Sequence, residues 1–110
     1  MPKSEKPVAI ITGGSRGVGE ATAKLLASKG WNVTITCTST IEDANKVVED
    51  CKKTGVEGLA IKADVSDDEA CRNTIEETVS QWGRIDSLVN NAGTTTVSYT
   101  HLTLPTILLV

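Results

Sequence analysis

The sequence predicts an α/β fold, a Rossmann-type three-layer α/β/α architecture with a parallel sheet, truncated after the fourth strand. Two observations predict this fold. Short apolar, β-branched runs alternate with segments of helical spacing, and a glycine ends each helical segment. A chain that alternates strand and helix forms right-handed crossovers, which place helices on both faces of a parallel sheet.

The first unit is a buried strand followed by an amphipathic helix. The run Val8–Thr12 is continuously apolar or β-branched, as expected for a strand covered on both faces. Helical spacing begins at Gly17 and stops at Gly30, where glycine can end a helix in a left-handed conformation. The apolar face expected to pack on the sheet carries Val18, Ala21 and Leu25.

Two further units repeat this pattern. The second has a predicted strand over Asn32–Cys37, and a capping box at Ser39–Glu42 opens its helix. The third has a strand over Leu59–Ala63, and a capping box at Ser66–Glu69 opens its helix. The inward and terminating residues are Ala44, Val47, Val48, Cys51 and Gly55 in the second helix, and Ile75, Val79, Trp82 and Gly83 in the third.

The fourth strand is predicted over Ile85–Val89, and the character of the chain then changes. Beyond Asp86 the chain contains no Asp, Glu, Lys or Arg and is rich in Thr and Leu. Residues 1–95 are therefore the predicted half-domain, and 96–110 are expected to be a non-native or disordered tail. Leu102–Val110 is far shorter than the ~20 apolar residues that span a bilayer, so no membrane anchor is predicted.

The bulk composition is typical of one globular domain. The 110 residues are 39% hydrophobic and 23% charged, with a formal net charge of −3. Acidic and basic residues are interspersed, so a nucleic-acid partner is not expected. The polar amino terminus contains no secretory signal, which predicts a cytoplasmic protein. The odd number and wide spacing of Cys37, Cys51 and Cys71 predict reduced, buried thiols and no metal site.

A glycine-rich turn lies between the first strand and the first helix, over Thr12–Gly19. Glycines allow a sharp turn and a close approach to a pyrophosphate, and the free N–H groups at a helix start favour negative charge. The spacing of Gly13, Gly17 and Gly19 differs from the general G-x-G-x-x-G fingerprint. Phosphate binding is the favoured interpretation, and a simple turn is the alternative.

Polar residues follow two later strands, where a ligand crevice is expected in a parallel sheet. They are Asp64, in Ala63-Asp64-Val65, and the pair in Asn90-Asn91-Ala92-Gly93. Taken singly, Asp64 could cap the next turn and the second segment could be a tight loop. Their combination with the glycine-rich turn favours a dinucleotide site.

These three motifs together resemble the short-chain dehydrogenase/reductase family, with 3-oxoacyl-carrier-protein reductases as the most similar branch. The resemblance covers Val8 to about Thr95 and implies an oxidoreductase that transfers a hydride between a carbonyl or alcohol and NAD(P). It also implies a dimeric or tetrameric parent protein. The residues that it places along the cofactor are Ser15, Arg16, Gly17 and Val18 at the phosphates, Asp64 and Val65 at the adenine, and Asn91, Ala92 and Gly93 near the ribose and nicotinamide.

Charge at the end of the second strand favours NADP(H) over NAD(H). An NAD site uses an Asp or Glu there to hold the ribose 2′-hydroxyl, whereas this chain reads Thr36-Cys37-Thr38-Ser39. Arg16 could pair with a 2′-phosphate, and Thr38 could donate a hydrogen bond to it. The alternative for Arg16 is a solvated loop charge.

The family's catalytic serine, tyrosine and lysine have no counterparts that can be assigned. Tyr99 is the only tyrosine, and Thr103 stands where the lysine would follow. The chain by itself is therefore predicted to be inactive. Residues 97–106 resemble a translated sequencing adapter, with a divergent natural tail as the alternative. Three hypotheses remain: half of an NADP(H)-dependent oxidoreductase, a non-catalytic nucleotide-binding module, or a truncated frame without function.

Overall fold

The computed structural model describes residues 4–13, 17–38, 40–64 and 67–90, together with the backbone of 108–109. The elements are β1 (Val8–Thr12), α1 (Gly17–Ser28), β2 (Asn32–Cys37), α2 (Ile41–Lys52), β3 (Gly58–Lys62), α3 (Asp68–Trp82), β4 (Ser87–Asn90) and β5 (Leu108–Leu109). All strands pair in parallel in the order β3-β2-β1-β4-β5. This confirms the predicted Rossmann-type α/β architecture; β5, a two-residue strand beside β4, is not predicted by the sequence pattern.

The centre of the sheet is buried on both faces, as the sequence predicts. All five residues of β1 are buried. Ala9 and Ile11 belong to a core cluster shared with α1 and α2, whereas Ile10 packs in a second cluster with Cys71 and Ile75 of α3. Because successive residues of a strand point to opposite faces, one strand supports both helix layers.

The packing face of α1 differs from the prediction. The expected inward residues are Val18, Ala21 and Leu25, but all three are exposed, Val18 by 74% and Leu25 by 57%. The residues of α1 that are buried are Gly19, Ala23 and Ala27. These three lie four residues apart on one side of the helix. The prediction is wrong because it weighed hydrophobic size, whereas the face of α1 in the core cluster with β1 and β2 carries the small residues Ala23 and Ala27.

In both helices the N-cap lies one residue later than the predicted one, and the predicted caps Ser39 and Ser66 lie outside the described residues. The residue before α2 is Thr40, and its side chain makes no capping hydrogen bond. Before α3, the Asp67 side chain accepts a hydrogen bond from the Glu69 backbone N–H at 3.1 Å. An aspartate at this position also stabilises the positive end of the helix dipole.

The inner face of α3 is partly as predicted. Ile75 and Trp82 are buried, but Val79 is 37% exposed, so its predicted inward position is wrong. The residue that faces the sheet at this turn is Thr78, which is fully buried with Thr74. A helix position only one residue further along points about 100° away, which moves Val79 towards solvent.

A buried hydroxyl pair joins α3 to β2. The Thr34 and Thr78 Oγ1 atoms are 2.9 Å apart. Thr78 also donates to the Thr74 carbonyl at 2.8 Å, so its single proton is used and Thr34 must donate to Thr78. The buried Thr34 hydroxyl of β2 therefore has a hydrogen-bond partner inside the core.

This pair predicts a coupled effect on stability. Thr78→Val should lower the free energy of unfolding by about 1–2 kcal/mol, because it leaves the buried Thr34 hydroxyl without its acceptor. The Thr34→Val, Thr78→Val double variant should lose less than the sum of the two single variants, since both polar groups are then removed. Urea unfolding of the four proteins measures this coupling, and additive losses would contradict it.

A second polar cluster lies at the amino edge of the sheet. The Asp86 carboxylate accepts a hydrogen bond from the Val8 backbone N–H at 2.9 Å and two from the Arg84 guanidinium at 2.7 and 2.6 Å. Arg84 also donates to the Ser4 carbonyl at 3.1 Å, and the hydrogen bonds to Asp86 raise the pKa of the guanidinium. The start of β1 is therefore fixed to the segment before β4.

Removing this carboxylate should destabilise the fold. We expect Asp86→Ala to lower the free energy of unfolding by about 2 kcal/mol, because a charged acceptor of a backbone N–H and of an arginine is lost. Glu49→Ala is the control, since its ion pair with Lys52 is exposed and should contribute less than about 0.5 kcal/mol. Equal losses in chemical denaturation would show that the cluster has no special role.

Candidate cofactor-binding site

The carboxyl ends of the parallel strands meet at one edge of the sheet. Thr12 is paired with Asn90, and Cys37 is paired with Lys62, so the four main strands end at nearly the same level. The predicted site residues that the structure describes there are Gly13, Gly17, Val18, Gly19, Thr38 and Asp64. The structure thus gathers residues from three separate loops at the edge where parallel sheets bind ligands.

The turn after β1 is held by hydroxyl groups of neighbouring strands. Gly13 has a φ of 66°, and its backbone N–H donates to Thr36 Oγ1 of β2 at 3.3 Å. On the other side, Thr12 Oγ1 donates to the Val89 carbonyl of β4 at 3.4 Å. The glycine-rich turn therefore starts from a fixed position between two strands.

The next two glycines of the motif have different structural roles. Gly17 is the first residue of α1 and has a φ of 62°, a conformation that residues with a side chain rarely adopt. No atom lies within 4 Å of the position that a Cβ would occupy there, so the backbone conformation rather than crowding requires glycine. Gly19 is buried and belongs to the face of α1 that packs on the sheet.

The other described site residues present exposed groups at the same edge. Val18, the second residue of α1, extends towards solvent. Thr38 follows β2 and is exposed, and Asp64 is exposed beyond the end of β3. The Asp64 carbonyl accepts a hydrogen bond from the Asp67 backbone N–H at 2.9 Å, which begins the turn into α3.

Several predicted residues lie outside the described part of the chain. Those of the predicted site are Ser15, Arg16, Val65, Asn91, Ala92 and Gly93. Tyr99 and the segment 97–106 also lie outside it. Their assignments therefore stay predictions.

The cysteines are free and buried, as predicted. Burial raises the pKa of the Cys51 thiol. Burial also raises the pKa of Cys37, against the opposing charge of Lys62. A thiol that is buried and protonated is a poor nucleophile, so Cys37 is a structural residue of the site. Within the described ranges, no three His, Cys, Asp or Glu side chains form a metal-binding group.

Sequence reasoning did not identify three residues at this edge. Thr12 was placed at the start of the glycine-rich turn and Thr36 at the end of a strand, but neither was expected to fix the turn through its hydroxyl, as both do. Lys62 was not considered, although it is exposed beside the end of β2. The alternation of side chains along β2 could have placed Thr36 opposite the buried Ile35 face, but the strand register that positions Lys62 requires the structure.

Comparison with known proteins agrees with this geometry. The family profile described as short chain dehydrogenase matches residues 7–106. The chain belongs to this family. It is 46% identical over 87 residues to the 3-oxoacyl-[acyl-carrier-protein] reductase FabG of Staphylococcus aureus, a match that covers 79% of this chain and 35% of that protein. The family consists of oxidoreductases that bind NAD(P).

Solved structures of this family share the fold. A short-chain dehydrogenase/reductase from Burkholderia xenovorans has a TM-score of 0.80 and 42% identity, over 84% of this chain and 38% of that one. An NAD⁺-bound xylitol dehydrogenase has a TM-score of 0.74 and 33% identity, over 80% of this chain and 34% of that one. The chain thus spans little more than a third of these relatives. In the described part of the chain, no helix is both long and apolar enough to cross a membrane.

Proposed function

We propose that this chain supplies the dinucleotide-binding part of an NADP(H)-dependent oxidoreductase, which interconverts carbonyls and alcohols by hydride transfer. The observation that carries the proposal is the turn from β1 into α1. Its glycines at positive φ leave open space at the first residue of α1, at the carboxyl edge of the sheet. A helix whose first residue has no side chain is suited to a pyrophosphate, because the N–H groups and the helix dipole favour negative charge at its start.

The residues of the glycine-rich turn would bind the pyrophosphate. In this arrangement Gly13, Ser15 and Gly17 would lie along the pyrophosphate, the Arg16 side chain would extend from the turn to the 2′-phosphate, and Gly19 allows α1 to pack on the sheet. Val18 would cover the cofactor with an apolar side chain, which accounts for its high exposure in the chain alone. The bound nicotinamide supplies the hydride, and the residues of this chain bind and orient it.

The remaining site residues would hold the two ends of the cofactor. Asp64 and Val65 are proposed to contact the adenine, and the segment Asn91–Gly93 to contact the ribose and nicotinamide. The exposed position of Asp64 at the carboxyl edge supports this assignment. We assign no catalytic residue to this chain, so chemistry would require residues of the longer parent protein.

The preference for NADP(H) rests on the charges near the end of β2. Thr38 is exposed there, and neither Cys37 nor Thr38 can provide the carboxylate that holds an unmodified ribose. Arg16 and Thr38 are proposed to bind the 2′-phosphate. A relative at 33% identity is NAD⁺-bound, so family membership alone does not decide the cofactor.

Substitution of Gly17 should weaken cofactor binding by more than its effect on fold stability explains. Gly17→Ala and Gly30→Ala each force alanine into a positive φ, 62° and 91°, with no atom within 4 Å of the new Cβ. Both variants should lose about 1 kcal/mol of stability. Only Gly17→Ala should also weaken NADPH binding, by about tenfold or more, because Gly30 lies at the other end of α1. Titration with NADPH, followed by tryptophan fluorescence, measures this difference.

Two results of the same titration would contradict the proposal. Equal weakening by both glycine variants would mean that only fold stability matters. Absence of NADPH and NADH binding to a cooperatively folded wild-type chain would exclude dinucleotide binding. Binding without any hydride transfer in the longer parent protein would favour the non-catalytic module instead.

Arg16 should determine cofactor choice. We expect Arg16→Ala to weaken NADPH binding about tenfold, because a charge-assisted contact to the 2′-phosphate is lost, and to leave NADH binding within about twofold. Parallel titrations with both cofactors check this. If the variant weakened NADPH and NADH binding equally, Arg16 would not recognise the 2′-phosphate.

A further inference from the structure

Lys62 occupies a position beside the end of β2 that the sequence does not reveal. It is the last residue of β3, and the register pairs it directly with Cys37, the last residue of β2. The Ala63 backbone N–H donates to the Cys37 carbonyl at 2.9 Å, which continues this pairing beyond the strand ends. Paired residues of neighbouring strands share a face and lie about 4.8 Å apart. The exposed Lys62 side chain is therefore within reach of the surface next to Thr38.

The charge of Lys62 is available to a ligand. Within the described ranges, Lys62 forms no ion pair or side-chain hydrogen bond with another residue. The cations that do form ion pairs there are Lys24, Lys52, Lys53, Arg72 and Arg84. Of the described cations that form no ion pair, Lys6 and Lys29 precede β1 and β2 and so belong to the amino edge, and Lys46 lies in the middle of α2, whereas Lys62 lies at the carboxyl edge.

The surroundings of Lys62 contain two opposing charges. Glu42 and Asp43, in the first turn of α2, act on the Cys37 thiol together with Lys62, so all three charged groups lie around the end of β2. The two carboxylates repel a phosphate. The positive charge of Lys62 offsets the two carboxylates. Without it, the end of β2 would repel a bound phosphate.

We propose that Lys62 is a second cation, in addition to Arg16, that selects a 2′-phosphorylated dinucleotide at the end of β2. This rests on the proposed function, because it names a specificity determinant of the same cofactor site. Lys62 would contact or lie close to the 2′-phosphate, with Thr38 as a neutral hydrogen-bond donor. Its contribution is electrostatic and therefore decreases with salt.

A different role for Lys62 would follow from its place on an edge strand. β3 is the outermost strand on its side of the sheet, and lysine on such a strand hinders edge-to-edge pairing with another chain. This role predicts self-association when the charge is removed and no change in ligand preference. The two roles are therefore separable in one set of variants.

The test compares Lys62→Met, Lys62→Arg and Lys29→Met with the wild-type 110-residue chain. Lys29→Met is the matched control, because it removes the same charge at the opposite edge of the sheet. Isothermal titration with adenosine 2′,5′-bisphosphate and with 5′-AMP measures selectivity, and far-UV circular dichroism with sedimentation velocity monitors folding and self-association. NADPH and NADH serve as the complete cofactors.

We expect Lys62→Met to weaken binding of the 2′-phosphorylated ligands about tenfold at low salt and to leave 5′-AMP and NADH within about twofold. Lys62→Arg should retain most of the affinity, and Lys29→Met should match the wild type. The difference in affinity between Lys62→Met and the wild type should diminish in 0.5 M salt. The Debye length is then about 4–5 Å, so interactions between exposed charges are strongly screened.

Three outcomes would overturn the inference. Unchanged selectivity in Lys62→Met, with wild-type preference for the 2′-phosphate intact, would refute the role of Lys62 and leave the proposed function standing. Self-association without a change in affinity would assign Lys62 to edge protection. A wild-type chain that is folded but binds none of the four ligands would refute the proposed function itself.

Discussion

The buried face of α1 has only hydrogen atoms or methyl groups at its fully buried positions, Gly19, Ala23 and Ala27. These small residues allow the helix to approach β1 and β2 closely, so its first turn lies directly beyond the end of β1. The Thr36 hydroxyl accepts the hydrogen bond of the Gly13 N–H at the end of β1, and Gly17 begins α1 at a positive φ. The geometry proposed for phosphate binding depends on this close packing, because a larger residue on that face would displace the helix start from the sheet edge.

The order and type of the main elements follow from the sequence, since β-branched runs and glycine stops are local signals. The faces of the helices were harder to predict. Val18 and Leu25 form a convincing apolar stripe, yet both are exposed, because the distance available beneath α1 decides which residues fit. Val79 was misplaced for a related reason: the inward position at that turn belongs to Thr78, whose hydroxyl has a buried partner on β2. Neither constraint is visible in one helix taken alone.

The candidate site could be predicted where a motif reports directly on backbone conformation. Gly13 and Gly17 do have positive φ, and Thr38 and Asp64 do lie at the expected edge. The sequence could not reveal Lys62, because its position depends on the register between β2 and β3, which joins residues far apart in the chain. At the amino edge of the sheet, the polar groups around Asp86 form hydrogen bonds with one another. One edge thus maintains the fold, while the other presents the exposed side chains of Thr38 and Lys62.

The central position of β1 also has a consequence for folding during synthesis. β1 is synthesised before the other strands of this sheet, but one of its two pairing edges is completed only by β4, and the Val8 N–H bond to Asp86 joins residues 78 positions apart. Such non-local contacts form slowly. Until then, a partly made chain can pair β1 with β2 and β2 with β3, while the other edge of β1 is open to wrong partners. The strand on which both helix layers rest is therefore the one that requires protection longest in the growing chain.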